Sequence, residues 1–123
     1  MKWLLGFLLA LLLVPAFGQY GKPVTAAEET KNLKLLLGKQ AATKATYLKH
    51  PKDAAAKQKY VDANVALGLQ YTYANTVDRK IKYKRALTYF REAKKVDPQN
   101  PTANKWINQI ESIYRSMHRP IPG

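Results

Sequence analysis

The chain has 123 residues, with 21 Lys and Arg against 8 Asp and Glu, a formal net charge of +13 and no cysteine. That length allows one small domain with one modest core. With no disulfide available, stability has to come from packing alone. So strong a positive field favours anionic partners: acidic proteins, anionic lipid headgroups, wall polymers or nucleic acid. It is also what a plain solvated, lysine-rich surface looks like.

Residues 1–18 read as a signal peptide. Lys2 and the amino terminus make a basic start, and residues 4–14 make an apolar run of 11. Pro15 then breaks the run, and Ala16 and Gly18 are small residues flanking Phe17. This pattern predicts cleavage before Gln19 and an exported, periplasmic or extracellular product. The alternative, a membrane anchor, needs about 20 apolar residues, and this run is shorter. Cleavage would leave 105 residues with a net charge of +12. Residues 19–24, containing Gly21 and Pro23, read as an extended lead.

Residues 25–117 are predicted to form an all-α domain of about four helices. The first opens at Thr25, which has capping-box spacing to Glu28. Leu33, Leu36, Leu37, Ala41, Ala45 and Leu48 recur at helical steps and predict its packing face. His50-Pro51 ends it. The second helix has Asp53 as N-cap and a stripe of Tyr60, Leu67, Tyr71 and Ala74. Gly68 lies within that helix, where a glycine costs about 1 kcal/mol relative to alanine, so a close helix approach is expected there. The third helix is predicted over about 79–96, with Asp78 as N-cap and Tyr83, Ala86, Leu87, Phe90, Ala93 and Val96 inward. The prolines at 98 and 101 mark a tight turn. The fourth helix begins near Thr102 and carries Ala103, Trp106, Ile107, Ile110, Ile113, Tyr114 and Met117. Pro120 and Pro122 stop it, leaving a tail over 118–123. Short turns between helices imply antiparallel neighbours.

Leu67-Gly68-x-x-Tyr71, then Tyr83-x-x-Ala86-x-x-x-Phe90-x-x-Ala93-x-x-x-Asp97-Pro98, resembles a tetratricopeptide repeat. Small Gly68 and Ala86 allow two helices to cross closely, Tyr71 and Phe90 fill the space around the crossing, and Pro98 ends the second helix. The resemblance covers about residues 61–117, one repeat plus a closing helix. Three departures stand out. Asn64 occupies a position where the family often has Trp, about six extra residues lie over 75–82, and helix one is out of register as a preceding repeat. A single repeat does not normally bury its own face, so helix one or a second chain is expected to complete the core. The resemblance implies a non-catalytic protein-interaction module. Its ligand groove, on the first helix of the repeat, would carry Asp62, Val65, Leu69, Thr72 and Tyr73, and its partner would be a protein or peptide, acidic by charge complementarity. Cover by helix one or helix four is the other reading of Val65 and Leu69.

No catalytic constellation is present in the sequence. His50 and His118 lack companion ligands of metal-site type, and no phosphate loop or nucleophile–base set occurs, so no enzyme activity and no cofactor is predicted. Tyr71, Tyr83 and Tyr114 fall on core faces. Tyr47, Tyr73 and Tyr89 lie off the stripes, freer to stack bases or a partner. Arg79, Lys80, Lys82, Lys84 and Arg85 put five cations in seven residues. They are read either as a solvated segment or as a patch for an anionic polymer or membrane surface.

Overall fold

The computed structural model describes residues 24–123, in which four α-helices follow one another: α1 (Ala26–Lys49), α2 (Ala54–Tyr73), α3 (Arg79–Val96) and α4 (Pro101–Ser116). The predicted signal peptide, its cleavage point and all but Val24 of the extended lead lie outside the described residues. Each helix packs on the next, α1 on α2, α2 on α3, and α3 on α4. Among the described residues no helix is long and apolar enough to cross a membrane.

Each helix starts where a short polar side chain can satisfy an orphan amide. Thr25 Oγ1 accepts from Glu28 N–H at 3.1 Å, and Asp53 Oδ1 accepts from Ala55 and Ala56 N–H at 2.8 and 3.2 Å. Asp78 Oδ1 accepts from Lys80 N–H, and Asn100 Oδ1 from Ala103 N–H, at 2.8 and 2.9 Å. Such caps contribute about 0.5–2 kcal/mol each. Pro101 takes the first position of α4, where a missing N–H costs nothing, so that helix starts one residue earlier than the sequence suggested.

The middle helix, α2, is buried around most of its girth, with Tyr60, Val61, Ala63, Leu67, Gly68 and Tyr71 all inside. A helix covered on several sides has no single apolar stripe, which is why its pattern reads weakly in the sequence. The core joins Val61, Leu67 and Tyr71 to Ala86, Leu87, Phe90 and Ala93 of α3 and to Ala103, Ile107, Ile110 and Tyr114 of α4. Gly68 meets the Phe90 ring directly: a Cβ there would stand 2.6–2.7 Å from three ring carbons. The crossing expected between Gly68 and Ala86 is thus closed by the aromatic one turn further along α3.

The packing face of α1 differs from the expected one. Leu33 and Leu36 do pack against the core, but Leu37, Ala41, Ala45 and Leu48 are exposed, Leu48 at 65%. The inward residues are instead Glu29, Leu33, Leu36, Gln40, Thr43 and Tyr47. Three contacts set this rotation. Glu29, 2% exposed, accepts from the backbone N–H groups of Asn75 and Thr76 in the α2–α3 link. Gln40 Nε2 donates to Asn64 Oδ1 at 3.3 Å. The Tyr47 ring stacks on Tyr60 at 5.3 Å. Asn64 itself is fully buried, and its Nδ2 donates to Tyr60 O at 2.9 Å. A polar pair therefore occupies the position where the repeat pattern often has Trp.

The C-terminal tail is folded back. His118 adopts a left-handed φ of 54°. His118 N–H donates to Arg115 O and Arg119 N–H to Tyr114 O, each at 3.0 Å, the two bonds of a Schellman motif. Beyond it Ile121 packs on the core, and Arg91 Nη1 donates to Pro122 O at 2.7 Å. The turn at His118 therefore ends α4 before Pro120 and Pro122, which the sequence assigned that role, and these contacts fix where the chain goes next.

Candidate functional site

The residues assigned to a groove on α2 do not share one open surface. Thr72 is 7% exposed and turned inward, its hydroxyl donating to Gly68 O at 2.7 Å, so it is withdrawn from any ligand on that face. A threonine one turn after a buried glycine finds that carbonyl more readily than solvent. Val65 and Leu69 are half-buried and packed against the core cluster, which accounts for this apolar pair by packing. Asp62 accepts from Gln58 Nε2 at 2.8 Å on the exposed side. Tyr73, 44% exposed, meets Trp106 of α4 edge-on at 5.7 Å.

Tyr47, Tyr73 and Tyr89, off the main stripes in the sequence, are each paired. Tyr47 stacks on Tyr60, Tyr89 lies parallel to Tyr71 at 5.8 Å, and Tyr73 makes the Trp106 contact. The first two pairs join consecutive helices, and the third reaches from α2 to α4. Burial, with the carboxylate of Glu92 receiving its hydroxyl at 2.7 Å, pushes the Tyr60 phenol up to about 12. Burial also raises Tyr89 above the ordinary phenol value.

The five clustered cations are distributed around α3 rather than gathered on one face. Lys82 turns to the α2–α3 link, its Nζ donating to Ala74 O at 3.0 Å and lying 5.2 Å from the Tyr83 ring centre. Arg85 lies over the Tyr71 ring at 5.7 Å. Lys84 is exposed. Arg79 and Lys80 alone converge with something new. They line a cleft of about 250 Å³ together with Tyr83, Tyr114, Met117 and Arg119.

This cleft forms where the start of α3 meets the end of α4 and the returning tail. Two cations come from α3 and a third from beyond the left-handed turn at His118. Tyr83 and the buried Tyr114 supply the apolar walls, with Met117, 42% exposed, at the rim. None of the six lining residues is acidic. Between residues 63 and 91 Asp78 is the single carboxylate, and it is committed to the Lys80 N–H as N-cap. The first turn of α3 contains no acid. Cations at the positive end of a helix dipole oppose it, so this placement works against the stability of α3. Arg119, Tyr114 and Met117 carry no local sequence signal that ties them to Arg79, some 40 positions away.

Among the described residues no three His, Cys, Asp or Glu side chains gather as a metal site. No family model, curated protein or solved structure matches the chain.

Proposed function

We propose that the protein is an exported, non-catalytic binding module of tetratricopeptide type that holds an anionic partner at the cleft between α3 and α4. The observation that carries this is the convergence of Arg79, Lys80 and Arg119 on one cleft with no acidic lining residue. A surface lysine scattered among neighbours needs no function, whereas three cations from two elements, two of them set against the helix dipole, outweigh the one nearby carboxylate of Asp78 and leave a net positive site. The packing of Val65 and Leu69 against the core, with Thr72 inward, supports this cleft over the α2 groove. The tetratricopeptide assignment rests on the residue pattern over 61–117 and on the close Gly68–Phe90 approach. Export rests on the residue pattern over 1–18.

The partner class is anionic: an acidic protein segment, or an anionic envelope polymer or membrane surface. Titration of residues 19–123 with poly-glutamate and with anionic vesicles, at low and high salt, tests the reading. Binding should weaken with salt, as screening requires, and should be largely lost when Arg79, Lys80 and Arg119 are all changed to Gln. Equal loss from changing Lys84 and Arg85 instead would make the attraction a property of overall charge and sink the cleft.

A further inference from the structure

The walls of the cleft restrict its ligand further than charge alone does, and this step rests on the anion-cleft reading above. At about 250 Å³ the space is below the range of about 300–1,000 Å³ typical of small-molecule pockets, so it suits one charged group and a short body. Half of the lining is cationic and half is apolar: Arg79, Lys80 and Arg119 against Tyr83, Tyr114 and Met117. A ligand satisfying both halves carries its charge at one end and an apolar or planar group at the other. Three cations with no acid among the lining residues match an anion of about two charges better than a single carboxylate, and two of the three are guanidiniums, whose fork of donors suits phosphate oxygens.

We infer that the cleft binds a phosphate monoester carried on a small apolar or aromatic body, the phosphate on Arg79, Lys80 and Arg119 and the body against Tyr83 and Met117. The source of that group is either a soluble phosphate ester or a lipid headgroup of the phosphatidic acid kind. Both present the same terminal phosphate, and the lipid would leave its acyl chains outside a cleft of this volume.

Calorimetric titration of residues 19–123 with phenyl phosphate, benzoate and inorganic phosphate tests the inference. Phenyl phosphate should bind about tenfold or more tighter than benzoate, since it brings nearly two charges and three acceptor oxygens against one charge and two. Tyr83→Ala should weaken phenyl phosphate while leaving inorganic phosphate unchanged. The double variant Arg79→Gln/Arg119→Gln should lose about tenfold or more of the phenyl phosphate affinity, whereas Lys84→Gln, a charge change on the same helix outside the cleft, should not. Arg79, Lys84 and Arg119 are exposed, so their variants should melt like the parent, while Tyr83 is half-buried against the core, so a retained helical circular-dichroism spectrum at the titration temperature verifies the fold of Tyr83→Ala. Preference for phosphatidic acid vesicles over phosphatidylserine vesicles of matched surface charge assigns the lipid source, and phenyl phosphate binding without that preference assigns the soluble one. Equal affinity for benzoate and phenyl phosphate overturns the inference, as does equal loss in Lys84→Gln. Poly-glutamate binding that still depends on Arg79 and Arg119 would then leave the anion cleft standing with a carboxylate partner. Loss of both ligands' binding would remove the cleft altogether.

Discussion

The ring of Phe90 occupies the space that a Cβ on Gly68 would need, with three ring carbons 2.6–2.7 Å from that point. Phe90 is fully buried and stacks on Trp106 at 6.4 Å, so the ring has little room to give. Gly68→Ala gains about 1 kcal/mol of helix propensity but overpacks the crossing, which typically costs about 1–3 kcal/mol. Net destabilisation is expected, with Gly68→Leu worse than Gly68→Ala. Chemical denaturation of both variants checks it. A Gly68→Ala variant more stable than the parent would mean that the two helices are further apart.

Glu29 locks α1 to the link between α2 and α3. Burial pushes its carboxyl up, but the bonds from Thr76 and Asn75 and the charge of Lys82 outweigh this and hold it below the ordinary glutamate value. A carboxyl depressed in the folded state contributes stability that is fully present above its unfolded value, about 4.3. The contribution fades as pH falls through the lower folded value. Glu29→Ala leaves two backbone N–H groups without their acceptor and should cost about 1–3 kcal/mol. The gap between parent and variant should be widest near neutrality and narrow below about pH 4. Denaturant midpoints measured across that interval decide it, and a gap that does not change with pH would remove the charge from the explanation.

The contrast between α1 and the later helices shows what the sequence carries. The inward faces of α3 and α4 follow apolar periodicity because each packs through a single stripe, and Phe90, Ala93, Ile107 and Ile110 stand where the pattern puts them. The rotation of α1 is set by Glu29, Gln40 and Tyr47, two of them polar, and polar anchors are invisible to a hydrophobic pattern. The same holds for the cleft. Arg79 and Lys80 are legible as part of a basic run, but the run itself encircles the helix. Their partnership with Arg119 exists only because α4 ends beside the start of α3 and His118 turns the chain there.

His118 sits at the left-handed position of the Schellman motif, where glycine is the usual occupant. A side chain in that conformation costs about 1 kcal/mol or more. His118→Gly removes the strain, while the greater freedom of glycine in the unfolded chain offsets part of the gain. A small net stabilisation, up to about 1 kcal/mol, is expected, with Arg119 still turned to the cleft. Thermal melts give the first quantity, and unchanged poly-glutamate affinity at the same salt gives the second. A destabilised His118→Gly variant would show that the imidazole itself holds the turn.

The two candidate surfaces predict opposite rankings of variants. On α2, Asp62 and Tyr73 are the exposed members of the groove set, so Asp62→Asn and Tyr73→Ser perturb that face without removing a fully buried side chain. Removing Val65 or Leu69 would confuse binding with stability, since both pack against the core. Tyr73→Ser gives up the edge contact to Trp106, worth about 0.5–1.5 kcal/mol, which a melt will register separately from binding. At the cleft, Arg79→Gln with Arg119→Gln removes two of three converging cations and no core contact. Capture of the native partner from an envelope extract should survive the α2 pair and fail with the cleft pair, and the captured amount should fall as salt rises. Capture that is lost with Tyr73→Ser and retained by the cleft variant would return the site to α2. Capture that survives both pairs would point to α1, where Leu37 and Leu48 are left exposed.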